Sequence, residues 1–373
     1  MKVALVHDHL AQEGGAEKVL QILAEIFPDA PIYTLLYEPK NADKYFKGKK
    51  IETSIIQKLP GGIKHYQWYM PFMPMAVEFF DLRKYDLILS DTSSFAKGVI
   101  TSPDSLHICY CHTPTRYLWD YTHQYINELK YNKYFKKVIS LFLNYIRVWD
   151  KQAAERVDKY IANSKTVKRR IKKYYRRNSE VIYPPVEVEK FSISKPSEDP
   201  YFLIGTRLAP YKRVDIVIEA FKSMPERRLK IFGDGVDMER LKELAGDSPN
   251  IEFLGRVDEN LKIKLYSECQ AFLNPQEEDF GITVIEAMAS GRPIIAFNKG
   301  GARETIIAGK TGIFFDEQTP EALTRAVKDF DNYNWQPVEI RAHAKQFSID
   351  RFKKEIMDFV NQKYDDFQKN ENN

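Results

Sequence analysis

The sequence has 373 residues, of which 43% are hydrophobic and 29% are charged, and its formal net charge is +4. Single hydrophobic cores tend to split below this length, so we expect two domains. Three cysteines do not make a disulfide framework, which favours a reducing compartment such as the cytoplasm. No signal peptide is expected, because the N-terminal segment MKVALVHDHL has a short apolar run that passes directly into polar residues. No membrane-spanning helix is expected, because no apolar run reaches about 18 residues.

Basic residues are concentrated in residues 130–177, which hold 16 Lys and Arg against 3 Asp and Glu. Aromatic residues such as Tyr174 and Tyr175 lie among these charges, a composition typical of membrane-surface and nucleic-acid binders. No nucleic-acid-binding module accompanies the charge. The segment therefore predicts binding to an anionic membrane, and a solvated charged face is the alternative.

Short apolar runs and helical patterns alternate along the first half of the chain, which predicts buried parallel strands with helices between them. The predicted strands are residues 2–7, 31–37, 50–56, 85–91, 106–112 and 159–164. Gly14 and Gly15 follow the first strand and precede a helix, as in phosphate-binding turns. The pair lacks a full dinucleotide fingerprint, so a tight turn is equally possible.

His112 ends a predicted strand, and ligands of open α/β sheets bind outside the carboxyl ends of strands. It is therefore a candidate site residue, although a lone histidine is more often structural. Cys109 and Cys111 have no second cysteine pair, so we expect them in the core. The run from His7 to His9 has no metal-binding partners either and is read as a strand-end loop.

A long helix is predicted after the first five strands. Its apolar positions recur at steps of mostly three or four residues and predict one packed face, made by Phe135, Val138, Ile139, Phe142, Ile146 and Trp149. A short basic helix follows over 165–178. Upstream, the aromatic-rich residues 57–84 suit either an irregular lid or a packed helical insertion.

The second half of the chain carries another α/β series. Its predicted strands are residues 201–206, 228–235, 251–255, 269–275, 292–297 and 311–315. The predicted fold is thus α/β, with two doubly wound Rossmann-like domains facing across a cleft. The Pro184-Pro185 pair marks the connection, so we assign residues 1–184 and 185–350 to the two domains. Residues 351–373 form a C-terminal helix expected to pack back toward the N-terminal domain.

The stretch from Phe272 to Arg292 combines an acidic loop with a glycine at a helix mouth. Gly281 leaves the backbone N–H groups of the following helix open to an anion. Glu278 and Glu286 bracket that mouth. Arg207 and Lys212, after the first strand of the second domain, can neutralise a diphosphate without a metal. The alternative is an ordinary loop with a solvated acidic rim.

The segment Glu278-Asp279-Phe280-Gly281-x4-Glu286 resembles the E-x7-E signature of the retaining family 4 glycosyltransferases, which have the GT-B fold. Gly205-x-Arg207 with Lys212, the Gly233 turn and Gly300-Gly301 are similar to other landmarks of that family. Residues 111–120, CHTPTRYLWD, look most like the branch of bacterial surface-polysaccharide mannosyltransferases.

The resemblance implies a role for each matching residue. Arg207 and Lys212 hold the donor diphosphate, Glu286 binds the ribose, Glu278 grips the transferred sugar, and His112 lies near the reacting sugar and the acceptor. The implied catalytic set is His112, Arg207, Lys212 and Glu278, and the further donor-binding positions are Gly14, Gly15, Gly233, Arg256, Val257, Phe280, Gly281, Ile282 and Thr283. Many relatives have glycine in place of Asp279, which leaves the sugar open.

The implied function is retaining transfer of a hexose, mannose from GDP-mannose, onto a lipid-linked oligosaccharide in bacterial surface polysaccharide synthesis. The N-terminal domain would bind the acceptor and the C-terminal domain the nucleotide sugar. No metal, cofactor or nucleic acid is expected, and the protein would be peripheral on the inner face of the cell membrane. The alternatives are a UDP-sugar-dependent transferase, a nucleotide-sugar epimerase or hydrolase of the same fold, and a non-catalytic sugar-nucleotide-binding subunit.

Overall fold

The computed structural model describes residues 1–11, 14–129 and 131–371. The chain divides into two compact units. The first unit comprises Met1–Tyr183 together with Phe352–Asn373, and the second comprises Pro184–Arg351. Each unit is built on one sheet whose strands are all parallel, so both are Rossmann-like, as the sequence predicted.

The sheet of the first unit has seven strands. They are β1 (Val3–His7), β2 (Ile32–Thr34), β3 (Ile51–Thr53), β4 (Leu87–Thr92), β5 (Leu106–Cys111), β6 (Lys159–Ala162) and β7 (Glu180–Val181). Their order is β3-β2-β1-β4-β5-β6-β7, so the direction of winding reverses between β1 and β4. His7 at the end of β1 lies opposite Asp91 on β4. Most of the apolar strand residues are buried, which explains why the runs were readable in the sequence.

The helices of this unit begin after these strands and cover the sheet. They are α1 (Gly15–Ile26), α2 (Pro39–Phe46), α3 (Met73–Glu78), α4 (Thr122–Glu128), α5 (Lys133–Glu155) and α6 (Lys165–Arg170). The aromatic-rich residues 57–84 form 3-10 turns followed by α3. Trp68 and Phe79 in this segment are exposed.

The α5 helix differs from its prediction. Its buried side chains all lie from Leu143 onward, namely Leu143, Ile146, Asp150, Ala153 and Ala154. Phe135, Val138 and Phe142, expected to pack, are 53%, 46% and 47% exposed. The predicted packed face is therefore wrong for the first half of the helix, because periodicity identifies an apolar side but not whether the core reaches it.

The sheet of the second unit has six strands. They are β8 (Tyr201–Gly205), β9 (Arg228–Phe232), β10 (Ile251–Gly255), β11 (Phe272–Asn274), β12 (Ile294–Phe297) and β13 (Gly312–Phe315). Their order is β10-β9-β8-β11-β12-β13, with the reversal between β8 and β11.

The helices of the second unit enclose a core of buried aliphatic and aromatic side chains. They are α7 (Val214–Lys222), α8 (Met238–Ala245), α9 (Glu259–Glu268), α10 (Ile282–Ala289), α11 (Ala302–Thr305), α12 (Pro320–Asp329) and α13 (Pro337–Ala344).

The last helix, α14 (Ile349–Glu371), carries the chain out of the second unit and into the first. Phe352, Ile356, Phe359 and Val360 are its buried side chains at this point, and the ring of Phe352 lies 5.7 Å from that of Tyr110. Among the described residues, none of the helices combines the length and the apolar character needed to cross a bilayer.

Candidate functional site

Most of the predicted donor-binding residues come together at the strand-order reversal of the second unit, the position where open α/β sheets bind ligands. β8 ends at Gly205 and β11 ends at Asn274 on the neighbouring strand. The segments that carry Arg207, Lys212 and Glu278 follow these two ends. The sheet thus brings together residues that are 66 positions apart in sequence.

Lys212 and Glu278 contact each other directly through an ion pair between Nζ and Oε1. Their side chains are 14% and 25% exposed, so the pair is accessible but largely shielded from bulk water. Gln276 also donates from Nε2 to Glu278 Oε1, at 3.0 Å. Burial by itself lowers the pKa of Lys212, but the charge of Glu278, the neighbouring Tyr211 and the hydrogen bond to Glu278 together outweigh it, and the net shift is upward. Lys212 is therefore a fixed cation at neutral pH.

The Gly300-Gly301 turn supports the loop that carries Glu278. The N–H of Gly301 donates to the carbonyl oxygen of Glu278 at 2.8 Å. Gly300 has φ +63°, and a Cβ there would lie 2.2 Å from the same oxygen. Any side chain at this position would push the Glu278 backbone away. These glycines were noted in the sequence as landmarks, and the close approach supplies their physical reason.

The mouth of α10 is formed by Gly281, whose φ of +92° lies in the left-handed region. Ile282 and Thr283 are the first residues of the helix, and both are partly exposed. Phe280 anchors the turn because its buried ring packs on Phe347 at 5.5 Å. The first N–H groups of α10 are thus held in place by the core and can meet an anion.

Glu286 has a partner that sequence reasoning missed. The carboxylate is buried, and its Oε1 lies 3.1 Å from Nζ of Lys262 on α9. Tyr266 lies one turn further along α9. Burial raises the pKa of Tyr266, and the neighbouring Glu286 raises it further. The sequence shows a lysine on the predicted helix before β11. Only the fold shows that this lysine lies beside Glu286.

The remaining residues predicted to bind the donor in the second unit follow β9 and β10. The N–H of Gly233 donates to the carbonyl oxygen of Gly255 at 2.7 Å. Gly233 has φ +122°, and a Cβ on it would lie 1.9 Å from the carbonyl oxygen of Thr206. The turn therefore packs directly on the segment leading to Arg207. Arg256 is exposed and Val257 is partly exposed, immediately after β10.

The predicted residues of the first unit lie at its own strand-order reversal. His112 directly follows β5, and its Nε2 is 2.7 Å from Oδ1 of Asp91. The other carboxylate oxygen of Asp91 is 2.8 Å from Nδ1 of His7. Gly14 is the residue before α1 and Gly15 is its first residue. Sequence reasoning singled out His112 and the glycines but missed Asp91.

Asp8 organises the loop after β4. Its carboxylate accepts hydrogen bonds from the backbone N–H groups of Phe95 and Ala96, each at 2.7 Å, and from the N–H of Ser93 at 2.7 Å. It also accepts from Thr92 Oγ1 at 2.9 Å. Burial by itself raises the pKa of Asp8, but His7 and the backbone donors outweigh it and the net shift is downward.

The loop after His112 is tied to α5. Asp150 accepts a hydrogen bond from Thr115 Oγ1 at 3.0 Å and from the indole N–H of Trp119 at 2.8 Å. Nζ of Lys97 pairs with the same carboxylate at 2.6 Å, and both side chains are 1% exposed. The motif from Cys111 to Asp120 is therefore held by a buried polar network.

Cys109, Cys111 and Cys269 are buried free thiols. In the described ranges, no group of three or more His, Cys, Asp or Glu side chains is arranged to hold a metal ion.

Comparisons with known proteins agree with this architecture. Residues 13–190 match the model of Glycosyltransferase Family 4, and residues 185–367 match the model of Glycosyl transferases group 1. The chain belongs to the GT-B glycosyltransferases of this group 1 and family 4 type. The predicted GT-B fold is thereby confirmed.

Individual relatives are distant. An uncharacterized glycosyltransferase of Methanocaldococcus jannaschii is 28% identical over 62% of this chain and 64% of its own length. The alpha-1,3/1,6-mannosyltransferase ALG2 of Dictyostelium discoideum is 24% identical over 89% of this chain and 88% of its own. The crystal structure of HepE from Anabaena with UDP and glucose superposes with a TM-score of 0.72 at 20% identity, covering 97% of this chain and 99% of that one.

The chain thus spans slightly less than two thirds of the Methanocaldococcus relative.

Proposed function

We propose that this glycosyltransferase is a retaining, metal-independent hexosyltransferase that uses a nucleotide sugar. The observation that carries the proposal is the contact of Lys212 with Glu278 beside the α10 mouth. A cation, a carboxylate and open backbone N–H groups are what a sugar diphosphate needs: the diphosphate takes the lysine and the helix mouth, and the carboxylate accepts hydrogen bonds from sugar hydroxyls.

The proposed reaction breaks the bond between the anomeric carbon of the sugar and the diphosphate oxygen. The acceptor hydroxyl forms the new bond on the same face, and its proton passes to the leaving diphosphate. Negative charge grows on the diphosphate as the bond breaks, and Lys212 and Arg207 stabilise that charge. Glu278 is a positioning group in this scheme rather than a nucleophile.

Two measurements test the chemistry. Proton NMR of the anomeric centre should show the donor's configuration in the product, and an inverted product would exclude a retaining enzyme. Turnover should be unchanged by EDTA and by added Mg²⁺, because protein cations neutralise the diphosphate. Loss of activity in EDTA that Mg²⁺ restores would contradict the proposed metal independence.

For the donor, we propose GDP-mannose. The resemblance of residues 111–120 to polysaccharide mannosyltransferases supports it, and the similarity to ALG2 over 89% of this chain is consistent with it. The alternative is a UDP-sugar, since HepE was crystallised with UDP. Thermal-shift measurements with GDP, UDP and ADP discriminate the bases, because a ligand that binds only the native state raises its melting temperature. A shift with UDP but not GDP would overturn the GDP assignment.

The reaction products distinguish glycosyl transfer from the alternative functions. Incubation of the donor with a lipid-linked oligosaccharide should give an acceptor heavier by one hexose in mass spectrometry. An altered sugar nucleotide without acceptor would indicate an epimerase, and free sugar alone would indicate a hydrolase. Nucleotide binding with no product across a panel of donors and acceptors would favour a non-catalytic subunit.

A lipid-linked acceptor would be reached at a membrane surface. The α5 helix carries an exposed apolar surface that could contact the bilayer. Its exposed side carries an apolar stripe with steps of four and three residues, made by Tyr134, Val138, Leu141, Tyr145 and Val148. These side chains are between 46% and 72% exposed. Lys133 and Lys137 lie beside the stripe at helical spacing. We propose that this stripe enters the interface of an anionic bilayer on the inner face of the cell membrane while the lysines meet the headgroups.

Sedimentation with phosphatidylglycerol-containing vesicles tests the membrane role. The wild type should bind at low salt, and Lys133→Glu with Lys137→Glu should remove the salt-sensitive part of the affinity. Leu141→Ser with Tyr145→Ser should weaken binding at all salt concentrations, since it removes inserted apolar area.

Val338 is 73% exposed on α13, so Val338→Ser is the control for loss of one exposed apolar side chain. Absence of wild-type binding at low salt would remove the membrane proposal.

A further inference from the structure

A line of ionisable side chains, buried except at its His112 end, crosses the strand-order reversal of the first unit. It runs from Glu17 on α1 through His7 on β1 and Asp91 on β4 to His112 after β5. Oε1 of Glu17 lies 3.9 Å from Nε2 of His7, and Nδ1 of His7 lies 2.8 Å from Oδ2 of Asp91. Oδ1 of Asp91 lies 2.7 Å from Nε2 of His112.

Asp91 is fully buried, and an isolated buried carboxylate would be costly. Burial by itself raises the pKa of Asp91, but His112 and His7 outweigh it and the net shift is downward. For His7 burial lowers the pKa, yet Asp91 and Glu17 raise it to about 10. At neutral pH His7 is thus an imidazolium between two carboxylates, and it donates its Nδ1 proton to Asp91.

His112 stands at the accessible end of this line, with 13% of its side chain exposed. An ionised Asp91 can only accept a hydrogen bond, so Nε2 of His112 carries a proton. In the neutral ring Nδ1 is then an acceptor. The ring of Tyr110 lies against that of His112 at 5.3 Å and fixes its plane.

The other ionisable groups nearby, Asp8 and His9, interact with different partners. Asp8 is occupied by the donors of the loop after β4. His9 lies against the ring of Tyr66, 5.6 Å away, and burial lowers its pKa. Neither group supplies a hydrogen bond to Asp91 or His112 in the described parts of the chain.

We propose that Asp91 and His7 are positioning residues that hold His112 as its Nε2–H tautomer, so that Nδ1 accepts a hydrogen bond from a hydroxyl of the transferred sugar or of the acceptor. This inference rests on the proposed function. His7 fixes the charge and orientation of Asp91, and Asp91 fixes the tautomer and orientation of His112. The arrangement follows the general rule that the partner of one imidazole nitrogen determines what the other can do.

The same two strands offer a matched control. Ser90 precedes Asp91 on β4, and its Oγ lies 2.8 Å from Nε2 of His107 on β5. Both side chains are fully buried. Ser90→Ala therefore removes one buried hydrogen bond between β4 and β5 without touching His112, whereas Asp91→Asn changes the partner of His112. A purely structural role predicts similar consequences for the two variants.

The direct test is nitrogen NMR of the histidine rings in the full wild-type chain, with the His112 signals assigned through their loss in His112→Gln. In the neutral form of the His112 ring we expect the proton on Nε2, with Nδ1 unprotonated. The Nδ1–H tautomer in the wild type would overturn the inference. This measurement needs neither activity nor a folded Asp91 variant, so it stands even if the donor proposal fails.

The kinetic test compares Asp91→Asn, His7→Gln and Ser90→Ala. Asp91→Asn should lower kcat by about tenfold or more, because a mis-set tautomer impairs a step that histidines typically speed by larger factors. His7→Gln should have a smaller effect in the same direction, and Ser90→Ala should stay within about twofold of the wild type. Equal losses in Asp91→Asn and Ser90→Ala would assign Asp91 a structural role and overturn the inference.

Hydrolysis of the donor without acceptor distinguishes the two possible hydroxyls. If Asp91→Asn lowers both hydrolysis and transfer, Nδ1 meets the donor sugar. If it lowers transfer alone, Nδ1 meets the acceptor. Unchanged rates of both would overturn the inference.

Discussion

The two units reverse their strand order at the same topological position. The charged side chains at that position differ between the units in type and in burial. In the second unit, Lys212 and Glu278 form a partly exposed ion pair beside a helix mouth. In the first unit, His7 and Asp91 form a buried pair at the equivalent strand ends. The parallel sheet fixes where ligands can be met, and the side chains at that point decide what is done there.

The loops at the two positions are also held differently. In the first unit the carboxylate of Asp8 collects the N–H groups of the loop after β4. In the second unit glycines allow backbone to pack on backbone, with Gly301 bonded to the Glu278 carbonyl. In the first unit the charge of Asp8 is therefore buried and used within the protein. In the second unit the backbone contacts hold the loop, and the charged side chains remain available to a ligand.

The largest expected effect is on Lys212. Lys212→Ala should lower turnover by about 100- to 1,000-fold, the usual loss on removing one group that stabilises transition-state charge. The melting temperature should change little, because the pair is partly exposed. The control is Arg213→Asn, since Arg213 is a neighbouring cation paired with Asp215. Its φ of +54° is one that asparagine tolerates. Near-normal turnover in Lys212→Ala would refute the assigned role.

Substitution of Asp8 should lower the stability of the fold, whereas substitution of Lys212 should lower turnover. Asp8→Asn replaces an acceptor-only carboxylate by an amide whose NH₂ group faces backbone donors. We expect the free energy of unfolding to fall by about 2–4 kcal/mol in urea titrations. Asp86 accepts from the backbone N–H of Lys2 near the opposite end of the same strands and is exposed. Asp86→Asn should cost less than about 1 kcal/mol, and equal costs would contradict the ranking.

The buried pair of Lys262 and Glu286 tests whether the second unit also uses charge for structure. Lys262→Met should destabilise the fold by about 3 kcal/mol, since it leaves a buried carboxylate without its cation. The double variant with Glu286→Gln should recover part of that loss. Glu286→Gln, alone or combined with Lys262→Met, should weaken nucleoside diphosphate binding about tenfold, by loss of a charged hydrogen bond. Unchanged binding in isothermal titration would remove Glu286 from the ribose site.

The last prediction concerns His7 and the dependence of stability on pH. Its pKa is raised to about 10 from the ordinary 6.5, so its stabilising contribution is complete below pH 6.5 and is lost as pH rises toward 10. The difference in melting temperature between the wild type and His7→Gln should therefore shrink steadily over this interval. Comparison with the variant cancels the other groups that titrate near pH 10. A constant difference from pH 6 to pH 10 would show that His7 is neutral in the fold.

Sequence reasoning found the architecture because each buried strand is a short apolar run and each unit repeats the pattern. It also predicted a set of donor-side residues, since Gly281 and Glu278 lie within a few positions of each other. Those assignments stay predictions until binding is measured. The pairings across the fold were out of reach: Lys262 and Glu286 are 24 positions apart, and nothing local in the sequence joins them.

Asp91 illustrates a different limit of prediction from the sequence. It ends the run YDLILSD and was read as part of a strand, with no chemical role. Its importance depends on β1 and β5 lying on either side of β4, which is a property of strand order rather than of spacing. The apolar face of α5 was misjudged for a related reason, since the sequence shows which side is apolar and the tertiary structure decides what covers it.

One consequence of α14 concerns biosynthesis. Its residues from Phe352 onward complete the first unit, although the whole second unit is translated before them. At about 5–20 residues per second, the ribosome needs about 10–40 s to pass from residue 183 to residue 371. During that interval Tyr110 lacks the Phe352 ring that covers it in the folded chain. The nascent first unit is therefore a natural client for chaperones, and fragments ending near residue 183 should aggregate more readily than the full chain.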